Sequence, residues 1–373
     1  MNRLKYRSFF LDLLRKIYLE EFPEKIQIPF SDSDFIREAG REGILNYIYH
    51  NLIKKQGVLM LSPESVKKID EYFFMISARN LRMQKELLTI VKGARETGVH
   101  DYLVVKGIHL INLIYKDLGT RPMSDIDIIY SPSALEKLKQ VFLDNGYLFG
   151  KDSADGCHFK KDDQVIFDLR EFEGDFYIGS LREKLSTITY NTLKEFRTEI
   201  ILEGTPIPVL EPEINLLLFS DHMRKHYFNR LIWFLDFLLV CKAFKVDMNR
   251  IEKTAERLNL KKALDYTLYL FSEYLPWSGI TPPCDLKWIE RSFLKGIFED
   301  RIKKGNTYLY FFALKGPVNK LILVIRKFFP PMREMRYIYK TENNLKLFLY
   351  YFIRPFSVLS SFILNILKTR GAV

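Results

Sequence analysis

Apolar positions in the first hundred residues recur at helical spacing. In "SPESVKKIDEYFFMISARNLRMQKELLTIVKGARETG", Val66, Ile69, Phe73, Ile76, Met83, Leu87 and Ile90 follow steps of three and four, with polar Asn80 as the one gap. The Ser-Pro-Glu-Ser start is helix-capping chemistry. An earlier segment, "DSDFIREAGREGILNYIYHNLIKKQG", predicts another helix, with Asp and Ser at its start and Gly after its last turn. The period changes near residue 101. "DYLVVK" (101–106) predicts a short buried strand, Gly107 follows, and "IHLINLIYKDLG" reads as a helix closing at Gly119. "SDIDIIY" predicts a second strand, "SPSALEKLKQVFLDNG" (131–146) a helix, and "YLF", "CHFKK" and "QVIFDLREF" short strands between turns. Residues 101–172 thus form a small α/β unit. From about residue 190 the pattern returns to helices. "EPEINLLLFSDHMRKHYFNRLIWFLDFLLVCKAF" predicts a long buried run and "DMNRIEKTAERLNLKKALDYTLYLFSEYL" a further helix pair. Four regions are expected: helical 1–100, an α/β core at 101–190, helical 191–300, and a tail at 301–373.

Composition narrows this picture. Hydrophobic residues make up 47% of the 373 and aromatic residues 14%, which excludes a disordered or low-complexity chain. Cys157, Cys241 and Cys284 have neither zinc spacing nor the look of a disulfide framework, so a reducing, cytoplasmic setting fits. Charges run throughout the first twenty residues, unlike a signal peptide. The net charge of +11 is uneven. Residues 301–373 hold 14 Lys/Arg against 2 Asp/Glu, a local +12, and the rest of the chain sums to −1. A near-neutral body therefore carries a basic, aromatic tail.

The chemistry concentrates in the second strand. Alternation puts Asp125 and Asp127 on one face and Ile126, Ile128 and Tyr130 on the other. In "VIFDLRE", Asp168 points away from Val165, Phe167 and Leu169, beside Ile166 and Arg170. If the two strands pair, a third carboxylate reaches the first two. Three carboxylates in a small volume repel unless a divalent cation neutralises them, and Mg²⁺ prefers hard oxygens together with substrate phosphates. The plainer reading is a wet strand end with two capping aspartates, because Asp-x-Asp is short and common. Nearby groups add weight to the first. Gly107 permits close approach of the chain to a phosphate; Lys106, Arg121 and Ser124 are possible phosphate contacts. A tight turn, a solvated strand end and local pairing are their ordinary alternatives.

This arrangement resembles the nucleotidyltransferase superfamily, in which a glycine after the first strand precedes an Asp-x-Asp strand and a later strand brings a third acid. It resembles more closely a family of uncharacterised bacterial nucleotidyltransferases marked by Lys106, Gly107, Leu110, Tyr115, Gly119, Arg121, Asp125, Ile126 and Asp127. The likeness covers roughly residues 35–245. It implies an α+β fold, a small mixed-sheet nucleotidyltransferase core of polymerase-beta type flanked by N-terminal and C-terminal helical regions. It also implies Mg²⁺ (or Mn²⁺) at Asp125, Asp127 and Asp168, with a nucleoside triphosphate donor, ATP being the expected one. Transfer of the nucleoside monophosphate goes to a hydroxyl on a small molecule, sugar, protein or RNA. The superfamily's usual Gly-Ser is Gly107-Ile108 here, and the family's Asp/Glu-Leu-His is Asp168-Leu169-Arg170, which leaves Arg170 to attract an anionic acceptor.

His222 and His226, four apart on an expected helix, share a face that continues through Asn229 or Arg230 to Trp233 and Asp236. Zinc binding would need a third ligand. Lining the nucleotide or acceptor cleft is the functional reading for His222, His226 and Asp236, and satisfied core histidines are the ordinary one. In the tail, "LKLFLYYFIRPFSVLSSFILNILKTR" is interrupted by Arg354-Pro355. Packing on the body is expected first, peripheral membrane contact through 318–370 at the inner face second, and a span third. RNA binding by the basic patch is open, without a recognised RNA module. Two rivals to the enzyme are a non-catalytic scaffold of the same fold and a membrane-surface assembly factor.

Overall fold

Side-chain capping fixes where the first helices begin in the computed structural model, which describes residues 3–153, 156–162, 165–171, 188–280, 286–302 and 306–370. Helix α1 spans Arg3–Leu19. Helix α2 (Asp32–Glu42) starts where the Ser31 hydroxyl accepts from the Asp34 amide. Gly43 ends α2 at φ 77°, and a Cβ there would sit 3.0 Å from Ile232. The helix expected across 32–56 is therefore broken into α2, α3 (Leu45–Ile48) and a π-helical turn at Tyr49–Lys55. Helix α4 (Pro63–Glu96) starts from the Ser62 cap and runs 34 residues. Asn80, the gap in its apolar stripe, is buried and donates to the carbonyls of Leu118 and Arg121.

A seven-stranded mixed sheet follows. Its elements are β1 (Tyr102–Val105), α5 (Gly107–Leu110), β2 (Ile126–Tyr130), α6 (Leu135–Asp144), β3 (Leu148–Ser153), β4 (Gly156–Lys161), β5 (Val165–Arg170), α7 (Tyr190–Leu193), β6 (Arg197–Leu202) and β7 (Thr205–Leu210). The strand order is β3-β4-β5-β2-β1-β7-β6. Two departures from expectation stand out. Helix α5 passes into a π-helical segment, Ile111–Tyr115, and stops at left-handed Lys116 rather than at Gly119. The return to helix near residue 190 is also premature, because β6 and β7 form an antiparallel pair and β7 joins β1 in parallel.

Both faces of the sheet are covered. Val104, Ile126, Ile128 and Phe167 pack with Met83, Leu87, Leu138 and Phe142 from α4 and α6. On the other face Leu103, Val105 and Ile129 join a larger core with helices that follow the sheet. These are α8 (Pro212–Lys225), α9 (Leu231–Ala243), α10 (Met248–Arg257), α11 (Lys261–Tyr274) and α12 (Trp288–Phe298). Each fully buried large apolar side chain contributes roughly 1.5–3 kcal/mol. A buried ion pair ties the helical parts together. Arg7 Nε and Nη2 donate to Glu42 at 2.9 and 3.0 Å, Arg7 Nη1 reaches the Phe298 carbonyl at 2.7 Å, and Glu42 accepts the Leu231 amide at 3.0 Å.

His109 on α5 lies in this interior, with Nε2 3.1 Å from Asn215 Nδ2. Burial, then the charge of Arg121, pushes its pKa down to about 3. A folded-state value below the unfolded one means that the unfolded chain takes up the proton first as pH falls. Stability is therefore expected to decline below pH ~6.5, by about 2 kcal/mol at pH ~5 from this group alone. Urea unfolding across that window, with His109→Asn lacking this share of the slope, checks it.

The tail contains α13 (Asn306–Ala313), α14 (Pro317–Phe328), α15 (Met332–Tyr339) and α16 (Asn344–Arg370). Packing on the body is expected here: Leu309 and Phe312 join the larger core, α16 touches α12, and Tyr310 and Leu314 form a small cluster with Leu323. In α14 to α16 only Leu323, Met335 and Leu347 are buried apolar residues among those described, because the three helices pack along narrow faces. No helix among the described residues is long and apolar enough to cross a membrane. Cys157 is buried and Cys241 partly so, while Cys284 lies outside the described residues.

Candidate active site

Strand pairing brings the carboxylates together. Strand β2 runs antiparallel to β1, with Asp127 opposite Val105, and parallel to β5, with Asp127 opposite Asp168. Alternation sends Ile126, Ile128, Phe167 and Leu169 into the core and leaves Asp127, Asp168 and Arg170 on the other face. Asp125 precedes β2 on the same parity. One oxygen from each of Asp125, Asp127 and Asp168 lies within 4.8 Å of the others, and all three residues are partly exposed. Three hard oxygens at one solvent-reached spot are the donor set that Mg²⁺ or Mn²⁺ takes, with room for waters or phosphates to complete the shell.

The groups around the acids are cationic or polar. Lys106 Nζ lies 3.0 Å from Asp127 Oδ1, Arg170 Nη2 lies 2.8 Å from Asp168 Oδ2, and Ser124 Oγ donates to Asp125 at 2.7 Å. Lys106 has φ 63°, a left-handed conformation uncommon for a residue with a side chain. Its amide is held by Asn215 Oδ1 at 3.3 Å. Such a backbone costs on the order of 1–3 kcal/mol, and here it accompanies a lysine side chain set against an acid.

Arg121, expected to meet phosphate or to pair locally, borders the cleft and makes an ion pair. It is buried, with Nε and Nη2 on Asp236 at 2.8 and 2.6 Å. Burial works against its charge, but Asp236 outweighs burial and the pKa rises above the ordinary arginine value. Tyr115 also donates to Asp236, at 2.6 Å. Asp236, expected as a substrate contact, is fully buried, with its oxygens on Arg121 and Tyr115. The Arg121 backbone is fixed as well: Asn46 and Asn80 hold the carbonyls of Gly119, Leu118 and Arg121 itself. The Nη1 corner of Arg121 rests on Gly107, where a Cβ would come within 2.6 Å of Nη1 and 3.3 Å of Met123 Sδ. Since Asp236 pins the guanidinium, Gly107→Ala is expected to lower stability by roughly 1–3 kcal/mol, read by thermal or urea unfolding.

The acids form one side of a cleft of about 590 Å³. The facing wall comes from the helices after the sheet. The long helix expected through 211–244 breaks there: α8 ends at Lys225, Tyr227 and Phe228 take φ 58° and 49°, and α9 starts at Leu231. The break is held by the Phe228 amide on the Met223 carbonyl at 2.7 Å and by the burial of Phe228. His222, His226 and Trp233 cluster across it and line the cleft, with ring centroids 4.4 to 5.4 Å apart. Two further arginines line the cleft, Arg230 on the histidine face read from the sequence and Arg79, which sequence reasoning missed. Arg79 lines it from α4 and holds the Ser124 carbonyl at 3.1 Å, and Arg230 precedes α9 with its cation 6.0 Å from the Trp233 ring centre. Burial, then Arg121, lowers the Arg230 pKa. An arginine between Phe228 and Leu231 was a legible signal; nothing in the helical pattern singled out Arg79.

The sequence pattern of a family described as uncharacterised nucleotidyltransferase matches residues 29–276. The chain belongs to this family. Membership supports a role in nucleotidyl transfer. No curated protein matches the chain. Among solved structures, the chain is faintly similar to ANT(2")-Ia in complex with adenylyl-2"-tobramycin, with 13% identity, TM-score 0.34, and coverage of 47% of this chain and 95% of that one. An antigenic nucleotidyltransferase-like protein from Paracoccidioides brasiliensis shows 13% identity and TM-score 0.34, covering 54% and 94%. A tRNA nucleotidyltransferase complexed with a primer tRNA and an ATP analog shows 14% identity and TM-score 0.21, covering 75% and 94%.

Proposed function

We propose that the protein transfers a nucleoside monophosphate from a nucleoside triphosphate, ATP being the expected donor, to a hydroxyl acceptor. The observation that carries this reading is the register of Asp127 against Asp168, which gathers three carboxylates on one cleft wall. Asp125, Asp127 and Asp168 would hold Mg²⁺ or Mn²⁺. When bound, the ion supplies charge neutralisation for the phosphates and the departing pyrophosphate. Lys106 and Arg79, with Ser124 beside them, meet the triphosphate oxygens; Arg121 fixes the Gly107 turn against which the chain approaches them. Asp168 takes the proton of the acceptor hydroxyl. The hydroxyl oxygen bonds to the α-phosphorus as the bridging bond to the β-phosphate breaks, and pyrophosphate leaves in line. Arg170, His222 and His226 border the space left for the acceptor.

The test is incubation of the full chain with Mg²⁺ and each α-labelled nucleoside triphosphate, with and without cell extract. Labelled product and pyrophosphate, both lost with a chelator, are expected. A second reading has one observation in its favour: Lys106 and Arg170 already pair with two of the three acids. In a non-catalytic scaffold those pairs would persist, and divalent-dependent triphosphate binding would be absent. Its absence would overturn the enzyme reading. A cytoplasmic setting, with the tail touching the inner face of the membrane, accompanies the proposal.

A further inference from the structure

Among the described residues, much of the apolar surface on the last three helices is exposed. On α16 Leu345, Leu349, Phe352, Phe356, Leu359 and Ile363 are exposed, at steps of four and three along five turns. Phe356 is 75% exposed and Leu345 71%. Helix α14 repeats the arrangement with Val318, Leu321, Ile322 and Ile325. The linker between these helices is fixed, because Tyr351 donates to the Pro330 carbonyl at 2.6 Å and Arg354 Nε to the Lys327 carbonyl at 3.0 Å. Contiguous apolar surface of this extent marks an interaction site.

Charge decides what covers it. Residues 317–370 carry ten Lys/Arg against two Glu, and 344–370 contain no acid at all. The 3.5-residue step on α16 would suit helix pairing between two copies, but paired helices place complementary charges beside the seam, and here like would meet like. A partner that takes both apolar side chains and cations is an anionic lipid surface. Arg354 and Pro355 interrupt α16 in its middle, and no described helix is fit to span, so the helices would lie in the plane of the interface. We propose that α14 and α16 form a peripheral docking surface for an anionic bilayer, with Leu349, Phe352, Phe356 and Ile325 entering the acyl boundary and Arg326, Lys327 and Lys346 meeting headgroups. This deepens the membrane contact noted above and does not depend on nucleotidyl transfer. The link to the body is physical: Tyr310 of α13 takes the Arg224 cation of α8 at 4.7 Å.

The full chain is tested by co-sedimentation with vesicles of phosphatidylcholine alone and of phosphatidylcholine with about one third phosphatidylglycerol. Binding to the anionic vesicles is expected to be at least about tenfold greater at low salt, and to fall as salt rises. Phe352→Ser with Phe356→Ser should abolish it. Arg326→Gln, Lys327→Gln and Lys346→Gln together should weaken it and flatten its salt dependence. The thermal melt of each variant, matched to the parent, shows that the exposed changes leave the fold intact, and the salt series on the unaltered chain needs no variant. Failure to sediment with either vesicle overturns the proposal, as does equal, salt-independent binding to both. A vesicle-free dimer that the Phe352→Ser, Phe356→Ser chain no longer forms would assign the surface to a second copy instead.

Discussion

Asp127→Asn is expected to reduce nucleotidyl transfer by about 10²–10³-fold or more while leaving the protein folded. Asparagine keeps the shape of the side chain and the ladder position opposite Val105 and Asp168, so the strand register survives. What it removes is one full negative charge from a trio whose oxygens lie within 4.8 Å of each other. It also removes the countercharge that Lys106 Nζ meets there. Lys106 is buried and Asp127 only partly exposed, so weakening the pair should cost about 1–3 kcal/mol. The kinetic signature separates a chemical role from a structural one. If the carboxylate acts where charge develops, kcat falls more than KM rises, and the Mg²⁺ concentration needed for half-maximal rate moves upward. Asp162→Asn is the matched control. Asp162 pairs at the surface with Arg82, so its loss should change neither parameter. Transfer at the parental rate by the Asp127→Asn protein would remove this site from the mechanism.

The acids were legible because strand chemistry is periodic. A two-residue alternation read from "DIDIIY" and "VIFDLR" puts three carboxylates on one face once the strands pair, and the parallel β2–β5 ladder supplies the pairing. Helix starts were legible for a similar reason: Ser31 and Ser62 carry hydroxyls that cap α2 and α4. The failures have equally local causes. Strand β7 was hidden by Pro206 and Pro208, residues that argue against a strand inside a sheet. Both prolines lie opposite the edge strand β6, and the pairing with β1 falls beyond them at Val209. The break after α8 was hidden because Tyr227 and Phe228 adopt left-handed conformations without a glycine to announce them. Asp236 was reached by continuing a helical face across that break. In the tail the apolar spacing matches that of a packed helix, and spacing alone does not say whether anything lies opposite.

Asp236→Ala is expected to destabilise the protein by about 3–5 kcal/mol, measured by urea or thermal unfolding. Asp236 is fully buried, and both of its oxygens hold Arg121. Without it, the Arg121 guanidinium keeps its charge in a site from which water is largely excluded, and the Tyr115 hydroxyl loses its acceptor. Removing one member of a buried pair is costly because the other stays behind. Replacing both members tests what the pair is for. Arg121→Met with Asp236→Leu removes charge and countercharge together and should recover most of the lost stability. Triphosphate affinity should not recover. Arg121 borders the cleft, and its Nη1 corner rests on the Gly107 turn beside the acids. Losing that charge-bearing support is expected to weaken triphosphate binding by roughly tenfold or more, on the scale of one hydrogen bond to a charged group. A double variant that regains both stability and affinity would show that the pair serves packing alone. One that regains stability alone would tie a buried ion pair to recognition in the cleft.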